Sequence, residues 1–203
     1  AASTMWNKDL SKVQVEGGTK DEKTIFYTGM YHLLIHPNIL QDVNGEYPMM
    51  ESLKVGHTTG NRYTVFSLWD TYRNVSTLMT LLYPERQLDI IRTMLDMYRE
   101  NGWLPKWELY GRETFTMEGD PSIPYIVDAW MRGLRDFDEQ TAYEAMRKGA
   151  TTPGEFNLLR PDANDYFSKG YVPLREQYDN SVSHALEYYI ADWNLANFAQ
   201  ALG

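Results

Sequence analysis

Apolar positions recur along this chain mostly at helical spacing, interrupted by two long stretches rich in Gly, Pro, Asp and Asn. Thr19-Lys20-Asp21-Glu22 reads as a capping box, in which a Thr hydroxyl and a Glu three residues on satisfy each other's orphan amides. It predicts a helix running to about Ile35 and stopping before His36-Pro37. A second helix is predicted from near Val65 to Leu82. Pro84, at a first helical position where its missing N–H costs nothing, opens a third. There Leu88, Ile91, Leu95 and Tyr98 mark a buried stripe, and Asn101-Gly102 ends the helix. Asp120-Pro121 announces a fourth helix, Ile123 to Leu134, with Asp120 as its N-cap. Asp138 caps a fifth, Glu139 to Lys148. A sixth runs from about Ser181 to the end, with Val182, Leu186, Tyr189, Trp193 and Phe198 along one side. Only Lys12 to Val15 alternates like a strand. The fold class is therefore all-α, with helices in antiparallel pairs.

Composition narrows the function classes. The 203 residues are 43% hydrophobic and 23% charged, which suits a packed globular chain and not a disordered one. A net charge of −9 argues against nucleic acid or an anionic membrane as partner, since both need basic surface. No stretch has the roughly 18 apolar residues of a membrane span. With no cysteine, disulfides, thiolate catalysis and Cys-based zinc sites fall away together. The 15 Tyr and 6 Trp suit either thick helix packing or polar, ring-shaped ligands.

The chemistry concentrates in the long connections, 101–120 and 150–180, because long loops in compact domains are usually functional or disordered. Asn101-Gly102-Trp103-Leu104-Pro105-Lys106-Trp107-Glu108-Leu109 sets two indoles and a carboxylate on a Gly-led loop. That combination suits stacking on a sugar ring and hydrogen bonding to its hydroxyls, though either indole could equally fill a core gap. In Trp69-Asp70-Thr71-Tyr72-Arg73, the carboxylate and guanidinium three apart share a helix face. They form either a fork for adjacent hydroxyls or a surface ion pair. The apolar flanks Phe66, Leu68, Val75 and Leu78 favour a buried, functional pair. Glycosidic cleavage needs two carboxylates, roughly 6.5–9.5 Å apart for inversion. Glu108, Glu113, Glu118, Asp120, Asp70 and Asp128 are the candidates, and spacing does not choose among them. Asp128, mid-helix, reads as packed or paired. His32, His36, His57 and His184 lack metal-ligand spacing and read as structural.

Several of these segments, taken together and in order, resemble the α-mannosidases of glycoside hydrolase family 92. They are Val15-Glu16-Gly17-Gly18-Thr19, Thr24-Ile25-Phe26-Tyr27-Thr28 and Phe66 to Arg73, then Gly102 to Leu109, Gly119 to Pro124 and Ser181 to Tyr188. The resemblance covers nearly the whole chain. It implies an exo-acting, calcium-dependent hydrolase that removes terminal α-mannose from N-glycans or mannan with inversion, built from a β-sandwich and an (α/α)6 barrel. It implies that Trp69, Asp70, Arg73, Trp107 and Glu108 bind substrate, with Asp70 and Arg73 on hydroxyls and Trp107 as a wall. The family's Glu-Gly-Asn acid motif and Asn-Asp-Asp base motif do not occur here. Residues 1–203 thus correspond to about the first half of the barrel. No catalytic residue and no calcium ligand is expected within the chain, which would be inactive alone. Its expected partners are an α-mannoside glycan, the remaining half of the barrel and the β-sandwich, in a secreted, periplasmic or cell-surface setting. A non-catalytic glycan-binding or scaffold module is the competing reading.

Overall fold

A computed structural model describes residues 2–174 and 180–203. The chain divides into two compact units, residues 1–38 and 39–203. In the first, α1 (Ala2–Leu10) packs on α2 (Lys20–Leu33), with the Trp6 and Tyr31 rings 4.8 Å apart. The capping box forms as predicted. Thr19 N–H donates to Glu22 Oε2 at 2.6 Å, and Glu22 N–H to Thr19 Oγ1 at 3.2 Å. The Lys12 to Val15 strand does not form. Tyr27 Oη instead donates to the Val13 carbonyl at 3.2 Å and accepts from Val15 N–H at 3.4 Å. Two backbone groups that a strand neighbour would serve are satisfied by one side chain.

Among the described residues, the second unit is helical apart from very short strand pairs. Its helices are α3 (Leu68–Thr71), α4 (Val75–Leu82), α5 (Pro84–Asn101), α6 (Ser122–Met131), α7 (Glu139–Thr151), α8 (Ala163–Lys169) and α9 (Ser181–Leu202). Helix α6 sits at the centre, touching α3, α4, α5, α7 and α9. Residues Ser122 to Val127, with Ala129 and Trp130, are all buried, so α6 has almost no solvent face. Helix α5 feeds it Ile90, Ile91, Met94 and Leu95, close to the predicted stripe. α7 adds Ala142 and Met146, and Phe198 of α9 meets Trp130 edge-on at 5.0 Å. Each buried Ile, Leu, Met or Phe here stabilises the fold by about 1.5–3 kcal/mol.

The helix predicted over Val65 to Leu82 is broken in two. Val65 takes φ of +68°, and Tyr72 to Asn74 form a turn between α3 and α4. Ser67 Oγ donates to the Asp70 carboxylate, and the Tyr72 and Arg73 side chains are drawn to α9. These side-chain bonds compete with helix continuation. Asp120 is not the N-cap of α6. Pro121 holds that position without a side-chain cap bond, and the Asp120 carboxylate turns to Arg160. Asp138 does cap α7, accepting from Thr141 N–H at 3.0 Å. Sequence periodicity does not reveal α1 or α8, which are short and bury little.

Helix α9 is apolar without direction. Its buried residues are Ser181, His184, Ala185, Tyr188, Ala191 and Phe198, while Val182, Leu186, Tyr189, Ile190 and Trp193 are exposed, Trp193 at 68%. A helix apolar all round is one that other elements cover on several sides.

Candidate functional site

The loop between α5 and α6 is built from its first residue. Gly102 ends α5 in the left-handed region at φ +85°, where an L side chain is strained, and its N–H donates to the Tyr98 carbonyl at 2.7 Å. Lys148 of α7 donates to the Gly102 carbonyl at 2.7 Å and lies 4.5 Å from the Trp103 ring centroid. One face of Trp103 is therefore taken by a lysine. Further on, β1 (Glu108–Leu109) and β2 (Arg112–Glu113) form an antiparallel hairpin pairing Glu108 with Glu113. Its turn residues Tyr110 and Gly111 both have positive φ, the geometry that matches strand twist.

Glu108 sits inside this hairpin and is fully buried. Its carboxylate accepts from Thr64 Oγ1 at 2.9 Å, Val65 N–H at 3.1 Å and Gly111 N–H at 2.5 Å. Burial pushes its pKa up, opposed by the bonds from Gly111, Thr64 and Val65. The expected contact between Glu108 and a sugar is not available in this conformation, because both oxygens are engaged and neither faces solvent. Glu108 holds Val65 and the hairpin together. Glu113 serves the outer side, accepting from the backbone N–H groups of Lys106, Trp107, Thr114 and Phe115 at 2.7–2.9 Å. Those bonds fix the Trp107 backbone. Trp107 is half-buried and its indole N–H has no protein partner.

The Asp70–Arg73 fork is replaced by another. Arg73 donates to Glu187 Oε1 of α9 at 2.6 Å, and Tyr72 Oη donates to Glu187 Oε2 at 2.7 Å. The Arg73 guanidinium lies 5.0 Å from the Trp69 ring centroid and 4.9 Å from that of Tyr72. Burial, then the bond to Glu187, raises the Tyr72 phenol pKa. Asp70 and Arg73 are exposed, contrary to the buried pair expected from their apolar flanks. Leu68 takes the buried face of α3, which turns Asp70 outwards. The site residue missed by spacing is Glu187, 114 positions from Arg73. The signal in the sequence is that Glu187 is one of two carboxylates, with Asp192, on a largely apolar helix.

The other candidate carboxylates are engaged too. Asp128 accepts from Arg132 Nε at 3.0 Å and Thr77 Oγ1 at 2.8 Å, as its mid-helix place suggested. Glu118 accepts from Asn180 and lies 2.9 Å from His184 Nε2. Among the described residues, Asp70 alone of the six keeps an exposed carboxylate, with the Ser67 hydroxyl as its hydrogen-bond donor. Among the described residues, no three His, Asp or Glu groups converge to hold a metal ion.

The fold has known counterparts. The profile of the glycosyl hydrolase family 92 catalytic domain matches residues 1–203. The chain belongs to glycoside hydrolase family 92. A family GH92 α-mannosidase from Bacteroides thetaiotaomicron superimposes with a TM-score of 0.88 at 35% identity, covering 98% of this chain and 26% of that one. The same mannosidase has been solved with mannoimidazole bound. A family GH92 inverting mannosidase from that organism gives 0.89 at 33% identity, covering 100% of this chain and 28% of its own. An uncharacterized secreted glycosidase of Arthroderma benhamiae is 26% identical over 216 residues, 23% of its length. The chain thus spans about a quarter of these relatives. Its helices are a piece of the family's catalytic domain.

Proposed function

We propose that this chain forms part of an exo-acting, inverting α-mannosidase that trims terminal α-linked mannose from N-glycans or mannan, and that it supplies one wall of the pocket for the terminal sugar. The observation that carries the reading is the meeting of Trp69, Tyr72 and Arg73 with Glu187. It sets an exposed guanidinium and the exposed Asp70 carboxylate beside an aromatic face. Such a cluster offers donors and acceptors to neighbouring hydroxyls and a plane to a ring. Trp107 lies on the same segment as the buried Glu108, which orders the loop and does not contact the sugar.

The acid and base come from outside this chain on this reading. Glu108, Glu113, Glu118, Asp120 and Asp128 all hold protein partners, and a carboxylate so engaged is a poor proton donor or acceptor for substrate. The chain alone is therefore inactive. The calcium dependence implied by the family likeness extends the proposal, but the described residues do not fit an ion, so no step is assigned to one. The partners are the rest of the barrel, suited to the exposed apolar face of α9, and a β-sandwich domain. The net charge of −9 gives no support to nucleic acid binding. Among the described residues, no helix is long and apolar enough to cross a membrane. Likeness to a secreted glycosidase supports export, to the periplasm, cell surface or medium.

Engaged carboxylates also favour the second reading, a glycan-binding or scaffold module without hydrolysis. One assay separates them. The full polypeptide should release mannose from a simple α-mannoside, Asp70→Asn and Arg73→Met should each reduce kcat/KM by tenfold or more, and residues 1–203 should release none. Sugar binding without turnover by the full polypeptide supports the second reading. Turnover by residues 1–203 alone would show that the catalytic groups are misplaced here.

A further inference from the structure

The wall of the proposed pocket is held in place by a residue of another helix. Arg73 lies beyond the end of α3, a helix of 4 residues that cannot by itself fix a long side chain in one orientation. Its guanidinium is fixed by Glu187 of α9, which accepts from Nη2 at 2.6 Å, while the Trp69 and Tyr72 ring centroids lie 5.0 and 4.9 Å away. Glu187 is itself held. Tyr72 Oη donates to its second oxygen at 2.7 Å, its side chain is only 10% exposed, and His184, Tyr188 and Ala191 beside it on α9 are buried. The Gly119 backbone packs so closely on this stretch that a Cβ there would run into the Glu187 side chain, and its N–H donates to His184 Nδ1 at 3.4 Å.

Glu187 acts on Arg73 in two ways. A guanidinium has five N–H donors and no acceptor. A carboxylate on one edge sets the plane of the fork and leaves the other donors of a half-exposed side chain for a ligand. The second effect is on charge. Asp70, exposed and three residues before Arg73, acts on the same guanidinium as Glu187 does. The wall therefore carries one positive group and two negative ones. The Tyr72 phenol, its pKa raised by burial and then by the bond to Glu187, stays a neutral donor. An unpaired arginine collects phosphates and carboxylates. An arginine outnumbered by carboxylates still offers N–H groups to hydroxyls, but it repels anions.

Resting on the reading of Trp69, Asp70 and Arg73 as a sugar wall, we infer that Glu187 is a positioning and specificity residue. It orients the Arg73 guanidinium for hydroxyls and, by cancelling its charge, restricts the pocket to uncharged sugars. Glu187 acts through Arg73 and does not touch the sugar.

The experiment uses the full polypeptide and two readouts, kcat/KM for a simple neutral α-mannoside and competitive inhibition by inorganic sulfate at fixed ionic strength. Glu187→Gln should lower kcat/KM about tenfold and tighten sulfate inhibition about tenfold, the size of one unit-charge interaction at a half-solvated site. Glu187→Asp keeps the charge and loses reach, so it should lower kcat/KM and leave sulfate inhibition as in wild type. A residue that only supported the fold would lower activity in both variants and change sulfate inhibition in neither, a result that overturns the inference. If Arg73→Met lowers kcat/KM while Glu187→Gln keeps the wild-type value, the inference falls and the sugar wall stands. If Arg73→Met is without effect, both fall. Should neither Glu187 variant fold, Tyr72→Phe removes one donor to Glu187 and no charge. It should lower kcat/KM about threefold, and a wild-type value there overturns the positioning role.

Discussion

Replacing Glu108 by Gln changes one atom of a side chain whose surroundings are fully specified. The volume is conserved, so no cavity term enters. Oε1 accepts from Gly111 N–H and Thr64 Oγ1, and Oε2 from Val65 N–H and the same hydroxyl. Whichever way the Gln amide turns, its NH2 confronts a backbone N–H, at Gly111 or at Val65. Thr64 cannot fully compensate, because its oxygen already accepts from Tyr110 N–H at 2.7 Å. One charge-assisted bond is lost, about 1.5–3 kcal/mol, and one buried N–H is orphaned, about 1–3 kcal/mol. Against this, the variant no longer buries a charge, the effect that pushes the Glu108 pKa up. The donors decide the sign, since both oxygens face them, and we expect a net loss of about 2 kcal/mol. The amides of Val65 and Gly111 report it locally. Their hydrogen-exchange protection should fall roughly 30-fold, at 1.4 kcal/mol per tenfold. Unchanged or greater protection would mean that desolvation outweighs the donors and that Glu108 is a liability, not an organiser.

Other consequences are equally direct. Gly119→Ala should be destabilising by more than about 2 kcal/mol, because φ is +71° and a Cβ there runs into the Glu187 side chain. It should also disturb the Arg73–Glu187 pair, read as a shifted Arg73 side-chain resonance. Asp138→Ala should lower stability by about 1 kcal/mol through loss of the α7 cap. Hydrogen bonds from the Thr141 hydroxyl and backbone hold the Asp138 carboxyl below its ordinary value. Its contribution is therefore present above the unfolded pKa and lost as pH falls through the lower folded one. Wild type and variant should converge in acid, and a gap that persists there contradicts the assignment. Lys148→Met should free Trp103 and the Gly102 carbonyl, raising Trp103 quencher accessibility with a loss of about 1–2 kcal/mol.

What could be read from the chain itself was local. Thr19 and Glu22 are three residues apart, and a capping box needs nothing further away, so it forms as written. Asp138 and Gly102 act within four residues of themselves and were equally legible. Helical period revealed the all-α class, and ordered motifs revealed the family. Where a side chain had to choose between a near and a distant partner, nearness misled. Asp120 had a vacant N-cap beside it and chose Arg160, 40 residues on. Arg73 had Asp70 three residues away and chose Glu187. Glu108, which reads as a sugar ligand beside two indoles, is enclosed by Thr64, Val65 and Gly111. For Asp120 and Glu108 the partners sit where desolvation makes a charged hydrogen bond stronger than it would be at the surface, while Glu187 holds the exposed Arg73 together with a second donor, the Tyr72 hydroxyl. Burial is a property of the packed helices, not of spacing. The sequence alone determined the all-α class, the local caps at Thr19, Asp138 and Gly102, and the family. Only the tertiary structure decided which charges meet inside, because only packing removes the water that would otherwise make the nearest partner good enough.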